Sequence, residues 1–215
     1  MNLNRAYLLL CGFYTLLILI GIIAMLMGGG SLTAVIQLGT GAVVVIGLWG
    51  YFLDRGFLNP RMWRPLAGLL ALGIITQLLA VFTANLSGTA MTWSLTTAIF
   101  SVLPMIFLYR YGDRDQPLWA TAEEIEGGKI LSKLLEEQRE LKVEKQAQGS
   151  RAIVRVRKTD DTYLASVERE REGSKEAFEE RFRCPATLAF FIEKFTCLTV
   201  GDFTTEYMDA GTGPA

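Results

Sequence analysis

Between Ala6 and Met27 the chain runs for 22 residues without a charged side chain. A helix of that length reaches about 33 Å, enough to cross a hydrocarbon core of about 30 Å. Three more such runs follow, Leu32 to Leu53, Leu66 to Ala84 and Trp93 to Tyr109. Together they predict a four-helix transmembrane region over residues 1–111. A signal peptide would hold an apolar core of only about 7 to 15 residues before its cleavage site, so the first run reads as a retained helix. Gly28-Gly29-Gly30-Ser31 is a breaker cluster too short to do more than reverse the chain. Pro65 stands where a third helix can open, since a missing N–H costs nothing in a first turn. Pro104 falls inside the fourth run and reads as a kink or a packing wedge.

Charge divides the chain at the same place. The first 118 residues hold six Arg, three Asp and no Lys, leaving 15 basic and 19 acidic residues to the remainder. Arg5, Arg55, Arg61, Arg64, Arg110 and Arg114 all fall on one side of a four-span arrangement, whereas Gly28 to Ser31 and Asn85 to Thr92 carry no charge. Cytoplasmic flanks accumulate Arg and Lys, so both termini are expected in the cytoplasm of a bacterial inner membrane. Trp49, Tyr51, Trp63, Tyr109 and Tyr111 cluster toward that side as an interfacial belt, with Trp93 opposite. No span carries an ionisable Asp, Glu, Lys or Arg, which argues against ion-coupled transport. Gln37, Thr76 and Gln77 read as interhelical hydrogen-bond partners, and Gly39, Gly47, Gly50, Ala67 and Ala71 as small residues at close contacts.

Beyond Tyr111 the texture becomes that of a water-soluble domain. Residues 112–120 read as a linker, 121–208 as a small α+β cytoplasmic domain and 209–215 as a loose tail. Thr121-Ala122-Glu123-Glu124 fits a capping box. The spacing of Ile130, Leu131, Leu134, Leu135 and Leu141 predicts a helix from there to about Gln148, kinked near Gly127-Gly128. Arg151 to Lys158 alternates, with Ala152, Val154 and Val156 on one face and Arg151, Ile153, Arg155 and Arg157 on the other. After a turn at Thr159-Asp160-Asp161, Thr162 to Glu170 alternates through Tyr163, Ala165 and Val167, which predicts a β-hairpin. Ser174 to Phe182 and Pro185 to Thr196 are predicted as helices, and Phe203 to Tyr207 as a short strand.

The chemistry that this composition excludes is broad. Histidine is absent, which removes the commonest general base and metal ligand. Cys11, Cys184 and Cys197 cannot assemble a four-ligand zinc site without His or further Cys, and are expected as reduced structural thiols. Gly28 to Ser31 lacks the Lys and the preceding strand of a phosphate loop, and no G-x-S-x-G is present. No catalytic, cofactor or metal site is therefore expected. The residues singled out for partner binding are Leu131, Leu134, Leu135 and Leu141 on the apolar stripe and Arg151, Arg155 and Arg157 on the hairpin. A net-negative tail disfavours nucleic acid as the partner of those arginines.

Gly47 to Leu66, GLWGYFLDRGFLNPRMWRPL, resembles the loop in small four-span bacterial inner-membrane proteins, some of which are immunity proteins. Two non-enzymatic functions are expected. One is a membrane-anchored module whose cytoplasmic domain recruits or regulates a protein. The other, which the resemblance implies, is immunity against a membrane-active or secretion-system toxin. A small channel or transporter ranks third. The expected partners are the lipid bilayer, a protein still to be identified, and a second copy of the chain.

Overall fold

The computed structural model describes residues 3–147, 150–171 and 174–208. The chain divides into two compact units, Met1–Arg114 and Asp115–Ala215.

The first unit consists of α1 (Leu3–Ala24), α2 (Leu32–Phe52), α3 (Pro60–Thr83) and α4 (Gly88–Tyr111). All four are long and apolar enough to cross a membrane. The starts of α2, α3 and α4 are each set by a polar residue meeting an orphan helix N–H. Ser31 Oγ accepts from Ala34 N at 3.2 Å, the Asn59 side chain from Arg61 N at 3.0 Å, and Ser87 Oγ from Ala90 N at 3.4 Å. These caps move two boundaries. The third helix begins at Pro60 and holds Pro65 in its interior, and the fourth begins at Gly88, a full turn before Trp93. Between α1 and α2 the chain makes a wide π turn, Met25–Gly29.

Large apolar side chains such as Leu9, Ile23, Leu69, Leu79 and Ile99 are exposed, the arrangement expected of surface that meets lipid. The buried side chains concentrate toward one end, where Leu48, Trp63, Ala67, Leu108 and Tyr111 are at most 3% exposed. Gly47 and Gly50 make that closeness possible. A Cβ on Gly47 would overlap Leu108 and Trp63, and one on Gly50 would overlap the Tyr111 hydroxyl. Gly39, by contrast, faces open space and makes no close contact.

The second unit places β1 (Glu140–Ala147), β2 (Ser150–Thr159), β3 (Thr162–Arg171) and β4 (Ser174–Phe182) in one antiparallel meander, in the order β1-β2-β3-β4. Among the described residues three α-helices, α5 (Ala122–Glu137), α6 (Pro185–Phe195) and α7 (Val200–Met208), and a short 3-10 turn, Pro117–Trp119, complete it. The core gathers Leu131, Leu134 and Leu135 of α5, Leu188 and Ile192 of α6 and Phe203 of α7. They pack with Leu141, Val143, Val154, Val156, Ala165 and Val167 from the sheet. The expected capping box is present, with Glu124 N on Thr121 Oγ1 at 3.2 Å and Thr121 N on Glu124 Oε2 at 2.8 Å. The hairpin turns at Asp160, whose φ is 51°, and pairs Arg155 with Ser166 and Val154 with Val167.

Four expectations are corrected here. The helix expected to run to Gln148 ends at Glu137, and Leu141 lies on β1, where Leu141 and Val143 face the core and Lys142 and Glu144 do not. Gln148 itself lies outside the described residues, as do residues 209–215 expected as a loose tail. Gly127-Gly128 does not kink α5. Gly128 lets it approach the start of α6, where a Cβ would lie 2.5 Å from Ala186 N. Ser174 to Phe182 is a strand, because Phe178 and Phe182 also share one face at period two and Val167 and Tyr163 lie opposite them. Phe203 to Tyr207 is helical, because Asp202 in the first turn accepts from Thr199 N at 2.7 Å and Thr199 Oγ1 at 3.0 Å, closing a helix start.

Candidate interaction surfaces

The residues expected to meet a partner separate into two groups. Leu131, Leu134, Leu135 and Leu141 are 0 to 6% exposed inside the core of the second unit. Their stripe is consumed by their own domain, so these four offer no docking surface.

Arg151, Arg155 and Arg157 do lie on the open face of the sheet, opposite the face that carries Ala152, Val154 and Val156. Each meets a carboxylate of a neighbouring strand. Arg151 Nε lies 2.6 Å from Glu144 Oε1, Arg155 Nη2 3.4 Å from Glu168 Oε1 and Arg157 Nε 3.8 Å from Glu140 Oε2. Lys175 follows with Glu170 at 3.9 Å, and Ser166 Oγ donates to Glu179 Oε1 at 2.7 Å. Cross-strand pairing of opposite charge stabilises a solvated sheet face. It also leaves the face without the excess positive field that a polyanion would need. The hydrogen bond from Arg151 holds the Glu144 carboxyl below its ordinary pKa, and the same bond raises that of Arg151. The Nε of Arg155 is buried and has no hydrogen-bond partner among the described residues.

At the buried end of the helical unit, a loop is fixed by two aromatic side chains. Tyr111 Oη accepts from Phe57 N at 2.7 Å and donates to Arg55 O at 2.7 Å. Trp63 Nε1 donates to Phe57 O at 3.1 Å. These bonds hold Asp54 and Leu58 at φ of 49° and 61°, conformations that non-glycine residues rarely adopt. Arg64 pairs with Asp113 at 3.2 Å and lies over the Tyr109 ring at 5.4 Å. Trp63 and Tyr111 therefore leave the expected interfacial belt for the core, at 1% and 0% exposure. Tyr109 and Trp93 remain exposed as belt residues should.

The polar residues in the spans behave differently from one another. Thr76 donates back to Leu72 O at 2.8 Å, Gln37 is exposed, and the buried Oε1 of Gln77 has no partner among the described residues. Trp49 Nε1 donates to Thr15 Oγ1 at 3.0 Å, an interhelical bond that sequence reading did not find.

Two further clusters also had no signal in the sequence, because each joins distant residues. Asp115 accepts from Arg183 N at 2.6 Å and Cys184 N at 3.0 Å. Asp202 binds Lys145 Nζ through both oxygens at 2.8 Å. Burial raises the pKa of Asp202, but the bonds from Lys145 and Thr199 together outweigh it and the carboxyl lies below its ordinary value. Among the described residues no three His, Cys, Asp or Glu groups converge to hold a metal. Cys11, Cys184 and Cys197 are free thiols.

No protein-family description, curated protein or solved structure matches this chain.

Proposed function

We propose that this is a non-enzymatic, multi-pass membrane protein that presents a cytoplasmic domain for recruiting or regulating another protein. The observation that carries the reading is the opposite placement of apolar side chains in the two units. The helical unit exposes them along four span-length helices, while the second buries them in a closed core. That is the construction of an anchor and a self-sufficient module. The arginines support an orientation with both termini in the cytoplasm, and the absence of charge from Gly28 to Ser31 and Asn85 to Thr92 supports export of those two loops. A bacterial inner membrane is the location that fits this arrangement. The charge-compensated sheet face favours a protein over nucleic acid as the partner.

Immunity to a membrane-active toxin is the second reading. It is favoured by the fixed loop, because the stretch that resembles small four-span inner-membrane proteins is the one tied down by Tyr111 and Trp63.

Covalent capture from native membranes separates the two readings. It would compare the full chain, a chain lacking residues 121–215, and a chimera whose four spans are replaced by unrelated helices of the same topology. The captured partner is expected to follow the domain, surviving the span exchange and disappearing with the deletion. Capture that follows the spans would remove the anchored-module reading and leave immunity in its place.

A further inference from the structure

The two edges of the four-stranded sheet are finished differently. On β1 the phenol of Tyr207 accepts from Lys142 N at 2.6 Å and donates to Lys142 O at 3.2 Å, so α7 caps that edge at Lys142. On β4 nothing comparable exists. Residues 174 to 181 are exposed but for the half-buried Phe178, and among the described residues no hydrogen bond reaches the outer side of the strand. An open edge of nine residues presents unpaired N–H and C=O groups and is a template for another strand.

The side chains of β4 select which strand. Directly opposed residues of an antiparallel pair share a face, so a second copy pairing about a two-fold axis can be tested position by position along SKEAFEERF. Centred on Phe178, the pairing would oppose Lys175 to Arg181 and Glu176 to Glu180, four like-charge contacts in all. Centred on Glu179, it would oppose that carboxylate to itself. Centred on Ala177, it sets Lys175 against Glu179 twice, Phe178 against the aliphatic stem of Glu176 twice, and Ala177 against Ala177. No like charges then lie directly opposite. A groove of about 260 Å³ opens beside Ala177, lined among others by Ile153, Glu168 and Lys175. It is bounded by β2, β3 and β4 and leaves the Lys175 side chain open beside the edge.

We propose that two copies of this chain join β4 to β4 about Ala177, making one continuous eight-stranded sheet with an isologous interface. Charges that guard the edge against unrelated strands are complementary to themselves in this single register. The inference goes beyond the anchored-module reading and does not depend on it, since it rests on the sheet alone.

The test uses the full chain in native membranes. Ala177→Cys places two thiols within disulfide reach across the axis. Under mild oxidation it is expected to form a covalent dimer at least tenfold faster than Glu123→Cys, an exposed control on α5, or than the unmodified chain with its own three cysteines. Adding Lys175→Glu or Glu179→Lys to Ala177→Cys should cut that rate about tenfold, and adding both should restore it. The restored double exchange is the outcome a merely damaged fold would not give. Mass measurement of the unmodified chain in lipid nanodiscs should report two copies. Cross-linking of Ala177→Cys no faster than of Glu123→Cys, or failure of the double exchange to restore it, would overturn the proposal.

Discussion

The helical unit and the sheet domain use apolar residues in opposite directions. In the helices, most leucines and isoleucines point outward, and the large buried side chains gather at the end held by Gly47, Trp63, Leu108 and Tyr111. In the domain, the apolar side chains point inward and the outside is a network of ion pairs. A lipid-facing helix needs only length and an uncharged surface, so its stability depends on a few close contacts. A water-facing domain depends on the hydrophobic effect across its whole core. Substitutions should therefore be most damaging in different places in the two units.

The largest effect is expected from Leu134→Asp. A carboxylate at a position 2% exposed, amid leucine and valine, should cost more than about 4 kcal/mol and unfold the domain while leaving the spans in place. Proteolysis of the full chain in membranes would show it as selective loss of residues 122–208. An unchanged protease pattern would break the contrast between the two units. In the helices the corresponding site is Gly47. Gly47→Val forces a branched side chain against Trp63 and Leu108 and should destabilise the bundle by about 1–3 kcal/mol. The same change at Gly39, which faces open space, should do little. Thermal unfolding in detergent compares them.

Smaller effects are expected at single polar groups. Tyr111→Phe keeps the ring but removes the hydroxyl that joins Phe57 N to Arg55 O, and should cost about 1–2 kcal/mol. Its signature is faster amide exchange at Phe57 with the helices unchanged. The least effect comes from Asp202. Its carboxyl titrates below the ordinary 3.8 in the folded domain, so its contribution is complete above that pH and disappears as the pH falls through the folded-state value. With Lys145 and Asp202 both partly exposed, the contribution is about 0.5–1 kcal/mol. Asp202→Asn should be less stable than the unmodified domain at neutral pH and should lose less on acidification. Parallel acid curves for the two would remove Asp202 as the cause.

How much was legible in the sequence also differs between the units. Span-length apolar runs announce themselves by composition, and the caps at Asn59 and Ser87 only move two of their starts. The hairpin of β2 and β3 was legible because four or more alternations fit no other period. Two of the corrected elements share one cause. Phe178 and Phe182, like Phe203 and Tyr207, are four residues apart, a spacing that satisfies both a helix face and a strand face. Pairing with β3 made the first a strand, and the Thr199–Asp202 start made the second a helix. For the candidate surfaces, the arginines of β2 were placed on the exposed face, but their partners were not visible because register fixes them. The leucine stripe was read correctly as apolar, yet nothing local says whether such a stripe meets its own domain or another chain.

In the proposed orientation the arginine-bearing loops and both termini face the cytoplasm. Alkaline phosphatase, active only after export, tests it when fused at two positions. A fusion within Asn85 to Thr92 is expected to be active, and one after Arg114 to be inactive. Activity after Arg114 with none in Asn85 to Thr92 would invert the orientation and contradict the account.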